Sequence, residues 1–290
     1  MSRFSIRRFL IPCAALVAAV AGVTAGGGVR AEILETRAIE DEITLADAGA
    51  ARIVVDNVFG AVRVTAHDRP VVEMTAVETI RADTQSDLER ARAEVGLRTE
   101  RNGDEVAFRV RRLEDECDCR WNRWSGYVVE YEIELRVPAQ AAVDLSTVNR
   151  GEIVVEGVRG DFDVSNVNGP VTLRGLHGAG SATTVNGRID ASFERAPAGS
   201  TSFKTVNGTI EVGFPRDVSA DLAFATMRGE IWTDFDAEPL SLDPVREETR
   251  DGGRRIIRLD RRSGIRVGAG GATHSFETLN GDIYVREAGR

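Results

Sequence analysis

The chain has 290 residues, of which 42% are hydrophobic and 29% charged, with 29 glycines and 8 prolines. This composition fits one elongated or two compact soluble domains and excludes the collagen-like and disordered classes. The formal charge is −9, and the acidic balance deepens once Arg3, Arg7, Arg8 and Arg30 of the N-terminal segment are set aside, so no nucleic acid partner is expected.

Residues 1–31 read as a secretory signal peptide. Residues 1–8 are basic, residues 9–25 are uncharged and apolar, and Val29-Arg30-Ala31 resembles a small-x-small cleavage site. Val23-Thr24-Ala25 is a second usable site. The alternative is a retained membrane anchor, but the run is just short of the roughly 18 apolar residues that usually span a bilayer. Cleavage would leave an extracytoplasmic protein, in the periplasm or on the surface of a bacterium.

Residues 32–140 read as a β-rich N-terminal part continuous with a repeat region that begins at 141. Residues 53–64, around Gly60, look like an early copy of the repeat that recurs later in the chain, 71–80 are strand-like, and 106–110 and 128–137 alternate apolar and polar side chains as strands. Between them Leu88, Ala91 and Val95 recur at helical spacing with Asp87 and Glu89 in the first turn, which predicts a short helix over 86–95. Cys117 and Cys119 then flank Asp118, close to Trp121 and Trp124. In an oxidising compartment this pair reads first as a loop disulfide, although the ring would be very small; free thiols and a metal or redox role stay open.

From 141 to 290 a repeat governs the sequence. Val148-Asn149-Arg150-Gly151 returns as Val167-Asn168-Gly169, Val185-Asn186-Gly187 and Val206-Asn207-Gly208, then in degenerate form as Met227-Arg228-Gly229 and Leu279-Asn280-Gly281. Each glycine is followed by a short alternating run such as Ile210-Glu211-Val212. Glycines fall every nine residues from 151 to 187, and the full signature returns every 18 to 21. Turns at Asn-Gly with residues tolerant of positive φ, and copies stacked in register, predict an all-β, single-stranded parallel β-helix with coils of 18 to 21 residues. Val167, Val185 and Val206 would form an internal apolar stack. Asn149, Asn168, Asn186, Asn207 and Asn280 would form a structural side-chain ladder, and Gly151, Gly169, Gly187, Gly208, Gly229 and Gly281 would be the turn glycines. Residues 237–275 read as a loop excursion. The final copy would then be an open C-terminal edge, capable of weak self-association.

The recurrent Thr-Val-Asn-Gly-x-Ile-x-Val units, the leader, and Gly268-Ala269-Gly270-Gly271-Ala272 before the last copy resemble the bacterial putative adhesin family, over roughly residues 40–287. Asn149-Arg150-Gly151 carries an extra residue and Arg228 replaces asparagine, two departures from the motif. The resemblance implies a single-stranded parallel β-helix outside the cytoplasm and supplies no catalytic residues.

Chemistry-bearing patterns are sparse. His67, His177 and His274 are isolated, and no hydrolase elbow, phosphate loop or dinucleotide fingerprint is present, so no cofactor or metal is expected. The expectation is a non-catalytic binding, adhesion or scaffolding module of the cell envelope, with an envelope protein or polysaccharide as partner. The alternative is a carbohydrate-active enzyme using outward carboxylates, Asp161 with Asp163 or Asp190 with Glu211. Trp232 and Tyr284 are the aromatic residues at outward repeat positions.

Overall fold

The computed structural model of the chain describes residues 16–22, 30–112, 126–240, 245–251, 254–260 and 263–288. Cys117 and Cys119, with the two tryptophans beside them, lie outside these residues. Two large mixed sheets of 11 strands each and one two-stranded sheet hold the strands, and a single short helix is present among the described residues. The chain divides into two compact units, 1–155 and 156–290.

The first unit contains β1 (Leu16–Gly22), β2 (Arg30–Thr44), β3 (Arg52–Asp56), β4 (Val62–His67), β5 (Val71–Ala82), α1 (Gln85–Glu94), β6 (Val95–Asn102), β7 (Glu105–Arg112), β8 (Tyr127–Pro138), β9 (Ala142–Thr147) and β10 (Ile153–Glu156). Its strand orders are β1-β2-β5-β8-β4-β10 and β9-β3-β7-β6. The pairs β1/β2, β2/β5, β5/β8 and β6/β7 are antiparallel, whereas β3 is parallel to β7 and β9 and β4 to β8. Alternation explains the layering: Val72, Met74, Ala76, Glu78, Ile80 and Ala82 of β5 are buried while the residues between them are not. The helix starts where Thr84 accepts a bond from the Asp87 amide, and it buries Leu88 and Ala91.

Two carboxylates are buried among the described residues of this unit, and both are paired. Glu78 receives the Tyr131 hydroxyl and lies 3.0 Å from Arg37; Glu35 is held by Arg92. Burial without such partners would cost several kcal/mol per ion. Burial, reinforced by the Glu78 charge, pushes the Tyr131 phenol well above its ordinary range.

The second unit contains β11 (Phe162–Asn166), β12 (Val171–Leu176), β13 (Gly180–Thr183), β14 (Ile189–Phe193), β15 (Thr201–Asn207), β16 (Ile210–Phe214), β17 (Ala220–Arg228), β18 (Ile231–Thr233), β19 (Ala237–Leu240), β20 (Val245–Asp251), β21 (Arg254–Asp260), β22 (Ser263–Val267), β23 (Thr273–Asn280) and β24 (Ile283–Glu287). Its strand orders are β12-β14-β16-β24-β18 and β11-β13-β15-β23-β17-β22-β19. Most neighbours are parallel and in register, so like residues stack: Ile189, Ile210 and Ile283 are aligned and fully buried. Buried phenylalanines fill the core, with ring centroids 5.0 Å apart for Phe193 and Phe214, 5.7 Å for Phe203 and Phe276, and 5.3 Å for Phe224 and Phe276.

These observations correct the expected fold. A single-stranded parallel β-helix of 18- to 21-residue coils would contain parallel neighbours only, following one another in chain order. Instead β2, β5 and β8 form long antiparallel ladders, and β22 pairs antiparallel with both β17 and β19. β2 has 15 residues and β5 and β8 have 12 each, too long for the short strand of a coil. Chain order fails as well, because β23 and β24 sit between β15/β16 and β17/β18. The C-terminal strand therefore has a neighbour on each side, and the edge invoked for self-association belongs to β18 instead. Residues 237–275, read as a loop, contain β19 to β22 and the start of β23, with β20 and β21 forming the two-stranded sheet.

Candidate functional site

The repeat motif builds three parallel columns in the second unit. The innermost is threonine. Thr184 Oγ1 donates to the Gly169 carbonyl at 3.0 Å, Thr205 to Gly187 at 3.0 Å, Thr278 to Gly208 at 3.1 Å and Thr226 to Gly281 at 3.3 Å. Each hydroxyl thus satisfies a carbonyl on the neighbouring copy. In the first unit Thr147 makes the same bond to Gly60, which Asn57 Nδ2 also reaches. The sequence reading missed this column, although threonine three residues before the glycine at 187, 208, 229 and 281 was the available signal.

Glycine is required next to it by close approach. A Cβ at Gly187 would lie 2.1 Å from the Gly169 carbonyl oxygen, and one at Gly208 would lie 1.9 Å from that of Gly187. Gly151, Gly229 and Gly281 meet a neighbouring glycine carbonyl in the same way. Positive φ, the reason expected from Asn-Gly, is found among the six motif glycines only at Gly281; beside Gly151 the inserted Arg150 takes φ 58°.

The asparagines come next. Asn186 Nδ2 donates to Asn168 Oδ1 at 2.8 Å, Asn207 to Asn186 at 2.9 Å and Asn280 to Asn207 at 2.8 Å. Asn280 therefore follows Asn207 directly in space, with Arg228 beyond it. Asn149 lies in the first unit, bridged to Phe59.

The valine stack points outward, not inward. Val185 is exposed and Val167 and Val206 are half-buried, while the threonines before Val185 and Val206 take the interior. The motif was read one residue out of phase, which in a strand moves a side chain to the opposite face. The outward row reads Val167, Val185, Val206, Leu279, Met227, ordered by Asn186 N to Val167 O, Asn207 N to Val185 O and the parallel registers of β15, β23 and β17. Met227 at 77% and Leu279 at 41% exposure make this an apolar stripe beside the asparagine ladder.

On the outer face of the other sheet, Asp190, Glu211, Tyr284 and Trp232 occupy one row across four strands. Arg188 donates to Asp190 at 2.7 Å and to Glu211 at 2.9 Å, and Arg286 lies 3.4 Å from Glu211 and over the Tyr284 ring. Asp161 accepts from the Ala179 amide and Asp163 from the Ser181 hydroxyl. The carboxylates considered for sugar cleavage are thus engaged in surface rungs. His177 pairs with Glu194, His67 accepts from the Arg69 amide, and His274 is buried against Thr201 and Phe214. Among the described residues no three His, Cys, Asp or Glu side chains converge to hold a metal ion.

Several solved structures show a likeness. A putative cell adhesion protein from Clostridium sporogenes matches at 8% identity and a TM-score of 0.48, over 87% of this chain and 99% of its own. A putative adhesin from Bacteroides fragilis matches at 7% identity and 0.38, over 87% and 97%. A putative lipid binding protein from Parabacteroides distasonis matches at 14% identity and 0.24, over 86% and 96%. No protein-family model and no curated protein matches the sequence.

Proposed function

We propose that this chain is a non-catalytic, extracytoplasmic binding module of the bacterial cell envelope, and that it recognises an envelope protein or polysaccharide through its second unit. The observation that supports this reading is the distribution of exposed apolar side chains. Among the described residues the large ones are Val185, Met227, Ile231, Trp232 and Leu279, all in the second unit, and three of them share one stripe. Exposed apolar rows have a standing hydration cost, which a partner relieves. The polar surface nearby is committed internally, through the asparagine ladder and the arginine-bridged carboxylates, so it contributes a stiff frame.

The test is a glycan array together with capture from envelope extracts, comparing the full chain with the Met227→Glu, Leu279→Glu double variant. A specific ligand retained by the wild type and lost by the double variant is expected. Equal binding by both proteins would remove the stripe from the function, and turnover of a polysaccharide would replace binding by catalysis.

A further inference from the structure

The two sheets of the second unit end unequally. Among the described residues, one continues past β17 through β22 and β19, whereas the other stops at β18. Its last strand has three residues, Ile231, Trp232 and Thr233, all exposed. Ile231 is in register with Ile283, and through it with Ile210 and Ile189, which are fully buried. Ile231 itself is 38% exposed, and Trp232 next to it 54%. The apolar column of the core therefore runs out to solvent at β18.

The backbone of β18 is half used. Ile283 N donates to Glu230 O and Asp234 N to Val285 O, so residues 230, 232 and 234 face β24. Alternation then turns the N–H and C=O groups of Ile231 and Thr233 to the open side. Proline, lysine and bulges are the usual protections of such an edge, and β18 has none. Its immediate flanks are acidic: Glu230, Asp234 and Asp236 are all exposed, and the exposed base on this stretch, Arg228, lies further out than Glu230 and its neighbouring glycine.

We propose that the β18 edge is a strand-addition site for an extended polypeptide segment of a partner protein, with alternating apolar residues and arginine or lysine on its flanks. The backbone groups of Ile231 and Thr233 supply main-chain pairing, Ile231 and Trp232 supply apolar contact, and the acidic flanks select the basic ends. A second copy of this chain fits less well. Antiparallel pairing of β18 with itself would set Glu230 of each copy against Asp234 of the other, acid on acid.

The inference rests on reading the second unit as a binding surface, and its test is separable from that of the stripe. Full chain is titrated by fluorescence anisotropy with the labelled peptide Arg-Arg-Val-Thr-Val-Thr-Val-Arg-Arg and with its counterpart in which glutamate replaces every arginine. Saturable binding of the basic peptide is expected, weakening as salt rises. Thr233→Pro removes the open-side amide donor, and with it the hydroxyl that accepts from the Phe235 amide, and should weaken binding at least about tenfold, whereas Thr233→Val, which loses that hydroxyl but keeps the donor, should bind like wild type. The Asp234→Arg, Asp236→Arg double variant leaves the backbone alone and should reverse the preference toward the acidic peptide. Met227→Glu should bind the peptide like wild type, because it tests the stripe and not the edge. The proposal is overturned by absence of binding, by equal binding of both peptides, by a Thr233→Pro variant that binds normally, or by concentration-dependent dimers that Thr233→Pro abolishes.

Discussion

The two units solve the same problem, burying one face of each strand, by different means. In the first, long antiparallel ladders bring unlike residues opposite each other, and two of the resulting interior positions hold carboxylates with dedicated partners, Glu78 with Tyr131 and Arg37 and Glu35 with Arg92. In the second, parallel in-register neighbours set like upon like: phenylalanine near phenylalanine, threonine over glycine carbonyl, asparagine on asparagine. Register is what differs. A repeat multiplies each favourable contact by the number of copies, but it also multiplies the exposure of any outward apolar position, and this is how the second unit acquires its stripe.

The largest expected effect breaks the second unit's core. Phe203 is fully buried and stacks on Phe276, with Phe162 and Phe193 also beside it. Phe203→Ala should cost about 3–5 kcal/mol in urea unfolding, through lost burial and the cavity left behind. If the two units unfold separately, the transition of the first should stay where it is.

Acid should also distinguish them. Burial holds the His274 imidazole down at about 4, below its ordinary 6.5. Between these values the unfolded chain binds the proton and the folded chain does not, so this contribution is complete above about pH 6.5 and falls as the pH drops toward 4. The difference corresponds to about 3 kcal/mol. His274→Phe keeps a ring against Phe214 and should flatten the stability profile over that window; an unchanged slope would remove His274 as its source.

In the first unit, Tyr131→Phe deletes the hydroxyl that donates to buried Glu78 while Arg37 remains. A loss of about 1–2 kcal/mol is expected by calorimetry, since one charge-assisted bond goes and the carboxylate keeps a partner. The smallest effect sharpens the phase of the repeat. Val185→Asp, on the exposed row, should change the melting free energy by no more than about 0.5 kcal/mol. Thr184→Asp, one residue earlier and facing inward, should be far more damaging.

Local features of the fold were legible in the chain. The helix near 86–95 is there, shifted by one residue, because Thr84 and Asp87 cap it and Leu88 and Ala91 have somewhere to pack. The nine-residue spacing of turns marked the short strands, and the 18- to 21-residue return identified real neighbours, such as β13 with β11 and β15. Asn168, Asn186 and Asn207 meet as their spacing suggests.

Readable in the chain alone were therefore the short alternating strands, their glycine corners and the pairing of consecutive copies. Spacing along the chain and side-chain period are local quantities. Tertiary structure alone decided the long antiparallel partners of β2, β5 and β8, the inward choice of Thr184 over Val185, and the insertion of β23 and β24 ahead of β17 and β18. Copies of one motif present nearly the same edge, so the motif cannot rank one copy over another as a neighbour. The ranking comes from summed contacts over whole strands, Phe276 between Phe203 and Phe224 and Asn280 on Asn207, and those exist only once the chain has returned on itself.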